Sequence, residues 1–121
     1  ADVRAYCHSR PNTICMTHMS HVYPQGANLY FIFLAKMSSL EEFKAYHAGI
    51  LDAIQKSGAA MSHHHGIGKM FGPWLEGAVG RNEYGVIRAL KQYFDPDNIM
   101  NPGGTLGLDV PQEEKRFLKA L

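Results

Sequence analysis

The residues best suited to chemistry form one run, Ser62-His63-His64-His65-Gly66-Ile67-Gly68-Lys69. An imidazole gains and loses its proton near neutrality, so neighbouring histidines can carry protons at working pH. The run is internal and too short for a purification tag. On an extended backbone His63 and His65 would point one way and His64 the other. Gly66 and Gly68 permit positive φ, or let the main chain come close to a flat ligand. By itself the run also suits a polar loop with solvated imidazoles. Together with His18 and His21 it can be read as a divalent metal site, although no Cys or carboxylate stands at ligand spacing among them.

Tyr30 is the second candidate. It lies in a strand-like apolar segment, where a tyrosine either fills the core with its hydroxyl bonded or serves an active site. One helix separates it from the histidines. In a strand–helix–strand unit two strand ends can converge, so Tyr30 and His63–His65 are expected to share a pocket.

The elements that would position these residues are legible in outline. Thr13–Met19 alternates, with Ile14, Met16 and His18 on one side and Cys15, Thr17 and Met19 on the other, as a strand does. Pro24, Gln25 and Gly26 are turn residues. Ala27–Lys36 reads as a second strand, with Leu29, Phe31 and Phe33 opposite Tyr30, Ile32 and Leu34. Both faces are apolar, so both are expected to be covered.

Ser39–Ser57 is expected to be a helix. Ser39 and Glu42 make a capping box, Leu40, Phe43, His47, Ile50 and Ile54 recur at helical spacing with Leu51 beside them, and Gly58 ends it. Ala59–Ser62 is expected to be extended. Pro73 suits a helical first turn, which predicts a helix over Pro73–Val79. After Gly80 and Asn82, Ile87, Leu90 and Phe94 mark a helix from about Glu83 to Phe94, stopped by Asp95-Pro96. Asn98–Leu108 reads as a loop and Glu113–Leu121 as a short terminal helix. This order predicts an α+β layer: an antiparallel sheet with helices on one face.

Composition narrows the classes. The 121 residues carry 12 basic and 11 acidic side chains, a net charge of +1, which is no footprint for nucleic acid or for an anionic membrane. Apolar residues make up 45% of the chain, enough for a core, yet the longest apolar run, Leu29–Ala35, is only strand-sized. Cys7 and Cys15 are too few for a disulfide framework and are expected to be reduced thiols in a cytoplasmic setting. A start at Ala1 without Met fits a segment of a longer polypeptide, and removal of an initiator Met would look the same.

Three stretches together resemble a known family. The run Ser62–Lys69 with Pro73-Trp74-Leu75, and Leu90-Lys91-Gln92-Tyr93-Phe94-Asp95-Pro96-Asp97-Asn98-Ile99-Met100-Asn101-Pro102-Gly103, are similar to the C-terminal signature of the FAD-linked oxidase superfamily. Ser20-His21-Val22-Tyr23-Pro24-Gln25-Gly26-Ala27-Asn28-Leu29-Tyr30-Phe31 resembles its alkyldihydroxyacetonephosphate synthase branch. Lactate and hydroxyglutarate dehydrogenases of the superfamily usually show Glu-His-Gly where this chain has His64-His65-Gly66. Their metal-binding members carry a histidine where it has Tyr30.

The resemblance implies a C-terminal fragment over 1–121: part of a ferredoxin-like cap domain at about 13–70 and C-terminal helices at about 71–121 that dock on a flavin domain. It implies an enzyme that exchanges the acyl group of acyl-dihydroxyacetone phosphate for a fatty alcohol in ether lipid synthesis, without net redox change. The alternatives are an FAD-dependent 2-hydroxy acid dehydrogenase of the lactate or glycolate type, and a non-catalytic His-rich metal-binding module. Tyr30, His63, His64 and His65 would be catalytic, and Gly66, Gly68, Asn101 and Gly103 would lie against FAD. FAD itself would be held mainly by glycine-rich segments upstream in the family. The implied partners are the rest of the polypeptide and a lipid or small-molecule substrate, with self-association through exposed strand edges and the last helices, and with attachment at a membrane surface beside the cytoplasmic location. The isolated chain is expected to be inactive.

Overall fold

Alternation over Thr13–Met19 does make a strand, and the strand runs further than the pattern. The computed structural model describes residues 2–104 and 106–117. Within them lie α1 (Asp2–Ser9), β1 (Thr13–Tyr23), β2 (Gly26–Ala35), α2 (Leu40–Lys56), α3 (Gly68–Val79) and α4 (Arg81–Phe94), with a single 3-10 turn at Gln112–Glu114. The two strands pair antiparallel, and the architecture is α+β. The chain divides into two compact units, Ala1–Ser57 and Gly58–Leu121.

In the first unit β1 and β2 form a hairpin closed at Pro24 and Gln25. One sheet face packs on α1 and α2. Val3 and Cys7 from α1, Cys15 from β1, and Tyr46 and Ile50 from α2 make the buried cluster, with Phe31 and Phe33 of β2 against it. Tyr46 is its hub: its hydroxyl donates to the Cys7 carbonyl at 3.1 Å, its ring stacks on Tyr6 at 5.6 Å, and Phe33 meets it edge-on at 5.4 Å. Burial, then the Cys7 contact, pushes the Tyr46 phenol up to about 12, and burial also raises the Cys15 thiol. Gly49 gives α1 room: a Cβ there would sit 1.8 Å from the Tyr6 hydroxyl.

The opposite sheet face departs from expectation. Ile14, Met16, Ile32 and Leu34 are 48–60% exposed, so only one face of β2 is covered among the described residues. The helices of this unit lie on the other side, where Cys15, Phe31 and Phe33 point.

The start of α2 follows the capping logic with one change. The Ser39 hydroxyl accepts from the Glu42 N–H at 3.1 Å, but the Glu42 carboxylate reaches one residue further back, accepting from the Ser38 N–H at 2.6 Å. It also pairs with Arg10, which donates to the Lys36 carbonyl at 2.7 Å. The Ser38 N–H, then Arg10, hold the Glu42 carboxyl below its usual range. α1 itself, eight residues long, has no counterpart in the sequence patterns.

In the second unit Ala59–Ser62 form no strand, because a strand needs a partner and the one described sheet contains only β1 and β2. α3 begins at Gly68, five residues before Pro73, and encloses that proline. The missing Pro73 N–H would have bonded to Lys69 in the first turn, so the helix loses one bond and continues. Gly80, at φ +100°, separates α3 from α4, which starts at Arg81 rather than at Glu83. Gly72 and Gly107 allow α3 to touch the following loop backbone: a Cβ on Gly72 would lie 2.8 Å from the Gly107 Cα.

The loop after α4 is anchored by Asp95. Its carboxylate accepts from the Ile99 and Met100 N–H groups, each at 2.9 Å, and pairs with Lys91. Lys91, then the two amides, hold that carboxyl below its usual range. The expected terminal helix is replaced by an extended segment after the 3-10 turn; the Arg116 N–H donates to the Pro73 carbonyl at 2.8 Å, and Lys115 meets Glu76 at 2.7 Å. These tertiary bonds take the place of helical ones. Residues 118–121 of the expected helix lie outside the described residues. Among the described residues no helix is long and apolar enough to cross a membrane.

Candidate functional site

Tyr30 sits in the middle of β2, half-buried, on the sheet face away from the helices. Its cross-strand partner is His18, whose ring stacks on it at 5.9 Å and 27°. His21 also reaches it, with ring centroids 6.3 Å apart. That second contact depends on a β-bulge between Ser20 and Val22, where His21 adopts φ +50°. A bulge inserts an unpaired residue and re-aims its side chain. The Ser20 hydroxyl lies 2.8 Å from His21 Nδ1 and fixes the ring. Next to this group, Asn28 Nδ2 is buried with no acceptor among the described residues, and Asn28 pairs with Ser20.

Sequence reasoning placed Tyr30 in a strand but did not join His18 and His21 to it. The available signal was the turn. Counting back from Pro24-Gln25 without a bulge puts Met19 opposite Tyr30; only the extra residue at 21 substitutes His18.

The histidine run lies in the second unit and is not extended. Residues 63–65 follow bends, and all three rings are exposed. The expected alternation gives way to a contiguous group: His63 Nδ1 lies 2.8 Å from His64 Nδ1, and the His64 and His65 rings are 4.3 Å apart. A bend folds successive side chains toward one another, whereas a strand would separate them. With one Nδ1 protonated and the other not, the pair makes a hydrogen bond.

Downstream, the glycines behave as their type suggests. Gly66 has φ +79° and Gly68 φ +57°, and a Cβ at either would meet nothing within 4 Å. The backbone there is open to a flat ligand. Gly103, at φ +70°, lies beside the first turn of α3: its Cβ position is 3.8 Å from Lys69 Nζ. Asn101, at φ +51°, belongs to the same turn, where the Gly104 N–H donates to its carbonyl at 3.1 Å. The structure thus brings the Asn101–Gly103 turn to the Gly66–Lys69 segment. An apolar groove of about 550 Å³ runs alongside, lined by Ile87, Leu90, Phe94, Met100 and Leu106.

Comparison with known proteins bears on this arrangement. The family model described as FAD linked oxidases, C-terminal domain, matches residues 1–105. The chain is 39% identical to alkyldihydroxyacetonephosphate synthase of Dictyostelium discoideum over 95 residues, which cover 76% of this chain and 15% of that protein. It is 33% identical to the same-named enzyme of Trypanosoma brucei brucei, over 85% of this chain and 17% of that one. It is 33% identical to the glycolate oxidase subunit GlcD of Bacillus subtilis, over 59% of this chain and 15% of that one. The chain therefore spans less than a quarter of these relatives. No solved structure matches it.

Proposed function

Because the chain belongs to the C-terminal domain family of the FAD-linked oxidases, we propose that it completes the active site of an alkyldihydroxyacetonephosphate synthase-like flavoenzyme. The observation that carries this reading is the contact of Tyr30 with two imidazoles on a sheet face that, among the described residues, no helix of its unit covers. The similarity to synthases from two organisms supports the branch.

FAD fits the residues present: the open, positive-φ backbone at Gly66 and Gly68, with the Asn101–Gly103 turn beside it, leaves the space a planar ring system requires. The bound flavin would supply the electrophilic and electron-accepting chemistry. Gly66, Gly68, Asn101 and Gly103 would hold its edge. The rest of the polypeptide would supply most of the binding contacts, and the apolar groove beside α4 is the surface we assign to docking that part.

The chain's own share is proton handling. Tyr30 would take or return a proton at its phenol oxygen. The His63–His64 pair, already joined through Nδ1, would pass a proton to the acyl group that leaves. The exposed apolar side chains Ile14, Met16, Ile32 and Leu34 on the Tyr30 face suit a long-chain substrate better than a short hydroxy acid. A second reading, oxidation of a 2-hydroxy acid, is favoured by the likeness to the glycolate oxidase subunit.

The test uses the full-length flavoprotein. With palmitoyl-dihydroxyacetone phosphate and hexadecanol, release of palmitate that depends on the alcohol is expected. Tyr30→Phe and His64→Ala should each lower turnover by about 100-fold or more, the scale of a lost acid–base group. Reduction of a redox dye by glycolate or lactate, with no palmitate release, would move the protein to the second reading.

A further inference from the structure

The bulge in β1 has a cost and a consequence. His21 is a non-glycine residue at φ +50°, in the left-handed region that an L-residue enters only with strain. Histidine tolerates it better than most residues, yet glycine or asparagine would be the ordinary choices. Among the described residues Asn occupies three of the other four such non-glycine positions, at Asn12, Asn98 and Asn101. A strained residue whose side chain makes a specific contact points to a use for that contact.

The contact is with Tyr30. Along a regular strand His21 would project to the face opposite His18. The bulge instead brings its ring to 6.3 Å from Tyr30, while His18 stacks at 5.9 Å. The same bulge shifts the register so that His18, not Met19, stands opposite Tyr30. One irregularity therefore places both imidazoles. Ser20 holds His21 through Nδ1 at 2.8 Å.

We infer that His21 is a positioning residue for Tyr30, held by Ser20 in a strained backbone conformation so that the phenol is fixed for its reaction. This rests on the proposed catalytic role of Tyr30. No step is assigned to His21 itself; it acts through the ring it touches.

The experiment compares Tyr30→Phe, His21→Gly and His21→Asn in the full-length flavoprotein, with palmitoyl-dihydroxyacetone phosphate and hexadecanol as substrates. Glycine adopts positive φ freely, so His21→Gly should keep or raise the melting temperature. It should lower kcat by about 10- to 100-fold, the scale of a misplaced reacting group, with KM changed less than about threefold. His21→Asn keeps a polar atom near the Nδ1 position and tolerates the same backbone, so it should recover much of the loss. Turnover in His21→Gly within threefold of wild type, with Tyr30→Phe inactive, would overturn the inference and leave the role of Tyr30 standing. So would a fall in kcat that comes with a lower melting temperature, since that marks a merely structural residue. Normal turnover in Tyr30→Phe would remove the reading beneath the inference, and the inference with it.

Discussion

In Ala1–Ser57 the buried cluster is Val3, Cys7, Cys15, Tyr46 and Ile50, and its notable polar link is the Tyr46 hydroxyl on the Cys7 carbonyl. In Gly58–Leu121 the buried side chains include Trp74 and Leu75 but also Glu76, Tyr84 and Asp95, each with a partner distant in sequence or in the following loop. Lys115 closes on Glu76 across 39 residues, and the Tyr84 hydroxyl donates to the Leu106 carbonyl at 3.3 Å. The first unit gains stability by removing apolar area from water. The second uses buried polar pairs to fix irregular chain, which suits a segment built of turns and positive-φ glycines. The difference shows where each candidate group is held: Tyr30 on a regular sheet with one defect, the histidines on bends anchored next to a helix start.

This contrast can be broken in four ways, and Trp74, the chain's single tryptophan, reports the second unit. The largest effect is expected for Lys115→Ala, which leaves the Glu76 carboxylate buried without its cation; the Trp74 fluorescence transition should lose about 3–5 kcal/mol in urea. An unchanged midpoint would mean that polar pairing does not hold that unit. Ile50→Ala should cost about 2–4 kcal/mol through the cavity it leaves in the first unit, read by far-UV circular dichroism, with the Trp74 transition moving less. Equal movement of both signals would show that the two units melt together.

Tyr46→Phe is the third, at about 1 kcal/mol for one lost hydrogen bond at neutral pH. The Tyr46 phenol is raised in the folded state to about 12, against about 10 unfolded. Its contribution is therefore complete below pH 10 and is lost as pH rises through 12. The difference between wild type and Tyr46→Phe should shrink over that window. The fourth, Asp95→Asn, is read by its pH dependence. The Asp95 carboxyl is lowered in the folded state by Lys91 first and by the Met100 and Ile99 amides. Its stabilising effect is present above the unfolded value of about 4 and vanishes as pH falls through the folded one. Wild type should lose Trp74 stability in acid more steeply than Asp95→Asn, and parallel acid limbs would contradict this.

Local chemistry made parts of the molecule readable. Ser39, Glu42 and Gly58 marked α2 because caps act within four residues. The alternating apolar residues and Pro24-Gln25 marked the hairpin for the same reason. Of the candidate site, the residue types and the positive φ at Gly66 and Gly68 were legible. The grouping of His18 and His21 with Tyr30 was not, since a one-residue slip changes every cross-strand neighbour while leaving each strand's pattern intact. The short α1 gave no period to detect, and the start of α3 before Pro73 depended on a loss that a first turn can absorb.

What the amino-acid order determined by itself was the hairpin, α2, the family and the reactive side chains, because capping, alternation and motif identity are properties of near neighbours. Tertiary structure alone decided that one sheet face stays open, that a bulge sets His21 against Tyr30, and that Lys115 reaches Glu76. Those outcomes depend on which distant groups leave water together, and no window of sequence contains both partners.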